Sequence, residues 1–462
     1  MIDEAHVWAQ HGSSFRSEMR ELSSTLFKPL FGCGDSGIFF LGCSATMTKR
    51  HVTLLSSLCS VGFPDDAKVW AQANMFSQDY MSVHLKIGSE YSKALDDTVA
   101  FLSEDDCGAA FVFANSKALT HSLVKSLEPK LDHLANRPDV VHVHGSLKKE
   151  DKFGRIQLFV GAISVPGVNP KVMVSTSAAD VGIDKKDCRL VTIFEWPSDG
   201  ASFCQRRGRG SRDGRASKTL LVAGLGSYVS MTKMLHRDGD ASSEDGKDNN
   251  DTVISNRRLS QKYAYRLTDT QRLANLHSQS QDMLDVLNLF CINKGCVLRR
   301  IDNYLAHGVL ANERVTGTCG GACPVCSGLF RKYFRVVWKD AAVSWLDSVR
   351  DKFPLQATLD AMFGLLWKNK FWTESIFDIA IGTMNKYNLE SFYLQLIACG
   401  ILAAEKRGDQ RNGFDLYWVL CDEERNDGAR RVKCYTIDSY WNSVCTHNVT
   451  DRRHYNHNLS NI

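Results

Sequence analysis

Residues 171–214 read KVMVSTSAADVGIDKKDCRLVTIFEWPSDGASFCQRRGRGSRDG. The stretch holds an apolar run, a small-residue turn ending in Gly182-Ile183-Asp184, and a second apolar run over Leu190–Phe194. Gln205 and an arginine cluster on glycine hinges follow. Short continuous apolar runs bounded by turns are what strands buried on both faces of a parallel sheet look like. Arg209 and Arg212 are three apart, so on a helix they would share a face. Guanidinium groups are planar, permanently charged and bidentate, which suits them to a triphosphate. The plainer reading of RRGRGSR is a basic loop on a solvated surface, with Arg206 and Arg207 as surface charges.

The same pattern continues outward on both sides. Ile38–Cys43 (IFFLGC), Ala109–Ala114 (AAFVFA), Val140–Val143 and Thr219–Ala223 are further strand candidates. Asn115 or Ser116 caps a following helix. Ile156–Gly161 (IQLFVG) fits the helix before the strand Lys171–Ser175. Strands alternating with helices predict an α/β fold with a parallel sheet. A second α/β unit is expected to begin near Met81.

Bulk properties set wide bounds. The chain has 462 residues, 44% of them hydrophobic and 23% charged, enough for two to four domains with ample core. A net charge of +4 permits nucleic-acid binding without arguing for it, so any basic patch must be local. No apolar stretch reaches the length of about 18 residues that a membrane helix needs. MIDEAHVWAQ, with two acids, is not a signal peptide. Fifteen scattered cysteines fit a reducing, intracellular compartment with some metal-bound thiolates. Arg237–Thr252 (RDGDASSEDGKDNNDT) is acidic and almost without apolar residues, as in a solvated linker.

Asp3-Glu4-Ala5-His6 at a strand end is a Walker B device. Asp3 would hold Mg²⁺ and Glu4 the attacking water. Together with Ser44-Ala45-Thr46, the turn at 176–184 and Gln205–Arg212, it resembles motifs II, III, V and VI of superfamily-two helicases. The RecQ family is the most similar. Gln10-His11-Gly12 with Phe15-Arg16 resembles that family's aromatic-rich loop, with His11 where the family has tryptophan. Asn115-Ser116-Lys117 resembles motif IV. His144-Gly145 matches its HxGL position with Ser146 inserted, although a lone histidine there also reads as core or loop.

The resemblance implies two RecA-like domains with ATP and Mg²⁺ between them. Asp3, Glu4, Arg209 and Arg212 would be catalytic, and His6, Gln205, Gly182 and Asp184 would contact nucleotide. Gln10, Phe15, Arg16, Ser44, Thr46, Asn115, His144 and Thr176 would line the DNA path. Single-stranded and duplex DNA are the expected partners, with no membrane. In a eukaryote the location would be nuclear.

Past the linker, Asp282–Leu305 reads as helix, with Leu284, Leu287, Phe290 and Cys291 at helical spacing. Cys296 lies on it, and Cys319-x₃-Cys323-x₂-Cys326 follows on a Gly/Pro-rich loop. This spacing suits a tetrahedral four-thiolate zinc site. Free structural cysteines are the alternative, and Cys291 is a competing ligand whose apolar setting suggests core. The order Cys-x-Leu-Arg-Arg and then a knuckle resembles the RecQ zinc domain, which implies structural zinc.

Leu389–Leu402 reads as a strongly amphipathic helix. A strand, a polar tip at Gly408–Gly413 and the strand Phe414–Leu420 follow. Helix then hairpin reads as a winged helix, the RecQ C-terminal neighbour, with Lys406, Arg407 and Arg411 meeting phosphates.

The expected organisation is residues 1–80 as the remnant of a first RecA-like domain and 81–236 as a complete second one. An acidic linker (237–254), a helical zinc-binding domain (255–332), a winged helix (333–425) and a polar tail (426–462) follow. No GxxxxGK[ST] phosphate loop precedes Asp3. The expectation is a partial chain of an ATP-dependent 3′-to-5′ DNA helicase, inactive alone, whose partner would be a separate N-terminal half or other repair proteins. The alternatives are a non-catalytic zinc and winged-helix DNA-binding protein and a DEAH-type RNA helicase.

Overall fold

The computed structural model describes residues 81–88, 91–104, 107–134, 137–177, 183–240, 269–307, 315–330, 386–398, 402–407 and 415–420, with a few positions before residue 53. Six strands, β1 (Met81–Ile87), β2 (Ala109–Phe113), β3 (Asp139–Val143), β4 (Pro170–Ser175), β5 (Cys188–Phe194) and β6 (Ser217–Ala223), form one sheet in the order β1-β6-β5-β2-β4-β3. Every pairing in it is parallel. Parallel neighbours need a crossover, and helices supply it: α1 (Tyr91–Leu102), α2 (Lys117–Leu131), α3 (Lys149–Val160) and α4 (Gly200–Arg207).

Burial explains the two kinds of strand. β2 lies in the middle of the sheet and is buried at every position. Its side chains alternate between faces. Phe111 and Phe113 join the core under α4, while Ala110 and Val112 join the one under α1 and α2. The sequence run AAFVF is continuously apolar because both faces are covered. β1 is an edge strand and alternates: Met81, Val83, Leu85 and Ile87 are buried, while Ser82, His84 and Lys86 are half-exposed. β6, last of the six in sequence, sits inside the sheet rather than at its edge. Ser116 is the cap of α2, its hydroxyl accepting from Leu119 N at 3.1 Å.

Three further helices complete the larger core: α5 (Leu225–Asp240), α6 (Asp269–Cys291) and α7 (Val297–His307). The expected single helix over 282–305 is thus broken at Ile292–Cys296. Arg300 explains the break. Its guanidinium is buried and donates to the carbonyls of Leu289 and Ile292 and to the carbonyl and side chain of Asn288. These include the last carbonyls of α6, which have no partner within the helix, and a cation satisfies both them and the helix dipole. Cys296 therefore stands just before α7 and not on a helix.

The α8 helix (Lys386–Ala398) packs on α6 and α5. Residues 390–398 are buried at every position, so the helix is not the amphipathic element its sequence suggested. Two of its buried polar residues are paired with neighbouring elements. Glu390 accepts from Leu225 N at 2.6 Å, and Gln395 donates to Cys291 O at 3.3 Å. The Glu390 carboxylate sits at the N-terminus of α5, where a negative charge is favoured. Gly224 leaves room for it: a Cβ there would lie 2.2 Å from Glu390 Oε1. The strands β7 (Leu402–Arg407) and β8 (Asp415–Leu420) form an antiparallel hairpin.

Gly200, at the start of α4, touches the ring of Tyr304 on α7. An added Cβ would lie 2.7 Å from the ring. Tyr304 is itself buried, so the ring has little space to yield. Overpacking of this kind costs about 1–3 kcal/mol. Gly200→Ala is therefore expected to lower stability by that amount in urea denaturation; an unchanged midpoint would show that α7 moves freely against α4.

Candidate nucleotide, nucleic-acid and metal sites

The carboxyl ends of parallel strands are where ligands bind in such sheets. Asn115, His144, Thr176 and Glu195 all stand there, just past the ends of β2, β3, β4 and β5. Asn115 is not a helix cap. Its amide nitrogen donates to Trp196 O at 2.7 Å, and its oxygen accepts from Arg206 at 3.1 Å. Thr176 N donates to Val143 O at 3.1 Å, holding the β3 and β4 ends together. His144 is buried, and its Nδ1 has no partner among the described residues.

Arg206 and Arg207 are not surface charges. Arg206 is 4% exposed and packs over the Phe113 ring; Arg207 is fully buried and donates to Met81 O at 2.9 Å. α4 runs along the sheet, and its last turn points these long side chains inward, where a carbonyl, an amide and an aromatic face receive them. Arg209 and Arg212 lie beyond the end of α4, in the loop that follows, so a shared helix face is not what relates them. They meet instead through Ile183 and Asp184. Arg209 is buried and donates to Ile183 O at 2.6 Å; Arg212 is partly exposed and pairs with Asp184 at 2.9 Å.

Ser211, between them, is in the left-handed region at φ 57°, a strained place for a residue with a Cβ. Its hydroxyl is held by Ser217 at 2.6 Å. Arg189 grips Asp213 with two nitrogens and holds that carboxyl down at about 2. The arginine loop is thus anchored on both sides of Arg212. Gln205 is half-buried in α4.

Glu195 was not singled out by its sequence. It follows β5 with φ 69°, and burial pushes its carboxyl up to about 7, against the lowering effects of the Asn115 backbone amide and Arg206. The folded state therefore holds this proton more tightly than the unfolded chain. The stability it contributes is present below pH 4.5 and is lost as the pH rises through 7. A shift of this size corresponds to about 3 kcal/mol. Glu195→Gln is expected to stabilise the protein at pH 8 and leave it nearly unchanged at pH 4.5. Parallel stability–pH curves for the two proteins would remove Glu195 as the cause.

The Sγ atoms of Cys296, Cys319, Cys323 and Cys326 all lie within 4.8 Å of one another. Four thiolates on one tetrahedral ion with a bond of about 2.3 Å would be spaced by about 3.8 Å. Cys296 and Cys323 are 3.9 Å apart, close to that value. The donor set therefore fits a metal ion. Cys323 is pulled down to about 5, first by its hydrogen bond with Cys296; Cys296 is correspondingly pushed up. One acidic thiol beside reluctant ones is what crowding four sulfurs produces, and a divalent cation relieves it. Cys291 is fully buried in the core and is not part of the group. The knuckle is joined to the sheet: Ala322 O accepts from Val83 N of β1 at 2.7 Å.

Ala5 N donates to Cys43 O at 2.9 Å, which brings Ala5 beside the residue before Ser44, and Thr46 N donates to Ser44 Oγ at 3.1 Å. Asp3, Glu4, His6, Gln10, Phe15, Arg16, Gly182 and Arg411 lie outside the described residues. Lys406 and Arg407 end β7, paired in register with Leu416 and Asp415.

Residues 92–214 match the helicase conserved C-terminal domain. The parallel sheet is the RecA-like fold of a helicase C-terminal domain, and the match ends just past the arginine loop. The Bacillus subtilis protein named "Probable ATP-dependent DNA helicase RecS" is 24% identical over 228 residues, 49% of this chain and 41% of that one. The Bacillus subtilis ATP-dependent DNA helicase RecQ is 24% identical over 221 residues, 48% of this chain and 33% of its own. A structure of S. cerevisiae Dbp5 bound to RNA and ADP BeF3 has a TM-score of 0.36 and 16% identity, covering 56% of this chain and 62% of that one. The chain spans about a third to two fifths of the length of its leading curated relatives. The helicase C-terminal domain match and the low-identity similarity to DNA helicases point the same way.

Proposed function

We propose that this chain serves a RecQ-like, ATP-dependent DNA helicase that moves 3′ to 5′. One observation carries the proposal: a four-cysteine cluster shares a continuous core with the helicase C-terminal domain. Phe290 of α6 meets Phe203 of α4 edge-on at 4.8 Å, and Tyr304 of α7 meets Gly200. The cysteine module is thereby fastened to the helix that leads into Arg209 and Arg212.

In this reading Arg212 meets the γ-phosphate and stabilises the charge that develops as it leaves. Arg209 braces the Ile183–Asp184 segment, and Asp3 and Glu4 serve Mg²⁺ and the attacking water. The four cysteines hold zinc, which supplies cross-linking only, since four thiolates leave no open position on it. Asn115, His144 and Thr176, at the strand ends, face the DNA strand. The helix and hairpin at 386–420 would act as a winged helix on duplex, with Lys406, Arg407 and Arg411 at phosphates.

ATPase of the zinc-loaded chain, with and without single-stranded DNA, tests the reading. DNA-stimulated hydrolysis supports it. Salt-dependent DNA binding that ignores nucleotide would favour a binding-only protein.

A further inference from the structure

Three histidines meet at the end of β3. His142 and His144 alternate with Val141 and Val143, so both leave the chain on one side. Their rings lie 5.9 Å apart, inclined by 23°. His121, one turn into α2, completes the triangle at 5.3 Å from His142 and 5.0 Å from His144. The ionisable groups acting on His142 and His144 are Lys117 and His121 from α2, Arg155 from α3, and each other. All are basic. Arg155 also donates to His142 O at 2.9 Å, which fixes its guanidinium beside the trio.

His144 lies beneath, 3% exposed, with its Nδ1 lacking a partner among the described residues. His142 is half-buried, while His121 and Lys117 are exposed. A buried polar atom without a partner is costly, and so is a cluster of basic groups without a counter-charge. A cation is the wrong remedy beside Lys117 and Arg155. Among the described residues only the four cysteines bring three or more ligand atoms within 4.8 Å. An anion supplies the missing counter-charge.

We propose that His121, His142, His144, Lys117 and Arg155 form a site for a phosphodiester phosphate, and that the imidazoles take up protons as it binds. The proposal rests on the nucleic-acid reading of His144 and adds His121, His142 and the proton linkage. Without an anion, burial first, then Arg155, His121 and His144, bring His142 down to about 4, and burial first, then His121, Lys117 and Arg155, lower His144. A phosphate beside the imidazoles favours their charged form, so protonation and binding favour each other.

The test is the affinity of the full chain for an oligothymidylate from pH 5.5 to 8 at constant ionic strength, where neither thymine nor phosphodiester titrates. The expected result is a dissociation constant that rises with pH, by up to about 10-fold per unit for each proton taken up. His121→Gln and His142→Gln are expected to flatten that slope. Imidazole NMR titrations with inorganic pyrophosphate supply a second readout, in which the histidine pKa values rise. Equal slopes in wild type and both variants would overturn the proposal, as would histidines indifferent to pyrophosphate. Histidines that respond to pyrophosphate in a chain that binds no oligonucleotide would leave the anion site standing and sink the nucleic-acid reading.

Discussion

Cys323→Ser is expected to abolish metal binding and unfold the module built from α6, α7 and the knuckle. Cys323 is fully buried at the centre of the cluster, with its sulfur 3.9 Å from that of Cys296. Structural zinc bound by such sets supplies about 10–16 kcal/mol in isolated zinc-finger peptides. That exceeds the net stability of about 5–15 kcal/mol typical of a whole domain. The damage should travel. Ala322 O holds Val83 N, and the same core contains Phe203 and Phe290, so the β1 edge and α4 lose support as well. Metal content should fall from one ion per chain to none, and thermal melting should drop by tens of degrees or lose cooperativity. A variant that melts like the parent, with or without chelator, would mean the four thiols are packing groups and not ligands.

Arg212→Ala is expected to reduce DNA-stimulated ATP hydrolysis by about 1,000-fold or more, in any assembly where the chain supports it. The two arginines are not equivalent. Arg209 is buried and committed to Ile183 O, so Arg209→Ala should also destabilise the loop, by about 1.5–3 kcal/mol for a charged hydrogen bond. Arg212 is partly exposed and held by the exposed carboxylate of Asp184 and a long 3.4 Å bond from its Nε to Gly208 O, from which a phosphate could draw it. Its removal should leave thermal stability nearly unchanged. Near-normal turnover in Arg212→Ala would withdraw the assignment, whereas lost turnover together with lost stability would make its role structural.

Much of this architecture was legible without coordinates. The runs at 109–114, 172–174, 190–194 and 219–223 are apolar at nearly every position. Only a parallel strand covered on both faces requires that, so local composition carried the tertiary setting with it. The Cys-x₃-Cys-x₂-Cys knuckle was equally readable, because ligand spacing is a covalent property of the chain. Ser116 was one of two cap candidates; the choice between them depended on Asn115 finding Trp196 O and Arg206, which lie 81 and 91 residues away.

What the sequence left open was direction and depth. The arginine pattern at 206–212 does not say which guanidiniums point inward. That follows from α4 ending at Arg207 and from carbonyls of β1 and the 183 segment arriving beside it. The break between α6 and α7 needed Arg300 folded back on the helix it terminates. α8 looked amphipathic because Glu390, Ser391 and Gln395 are polar, yet each is buried. The sequence by itself determined the parallel sheet, the arginine cluster and the metal-type knuckle, since periodicity and spacing are local quantities. Only the tertiary structure decided which charges are buried and that His121 joins His142 and His144. It also decided that the cysteine module is seated on the arginine helix, because burial and pairing depend on segments distant in the chain.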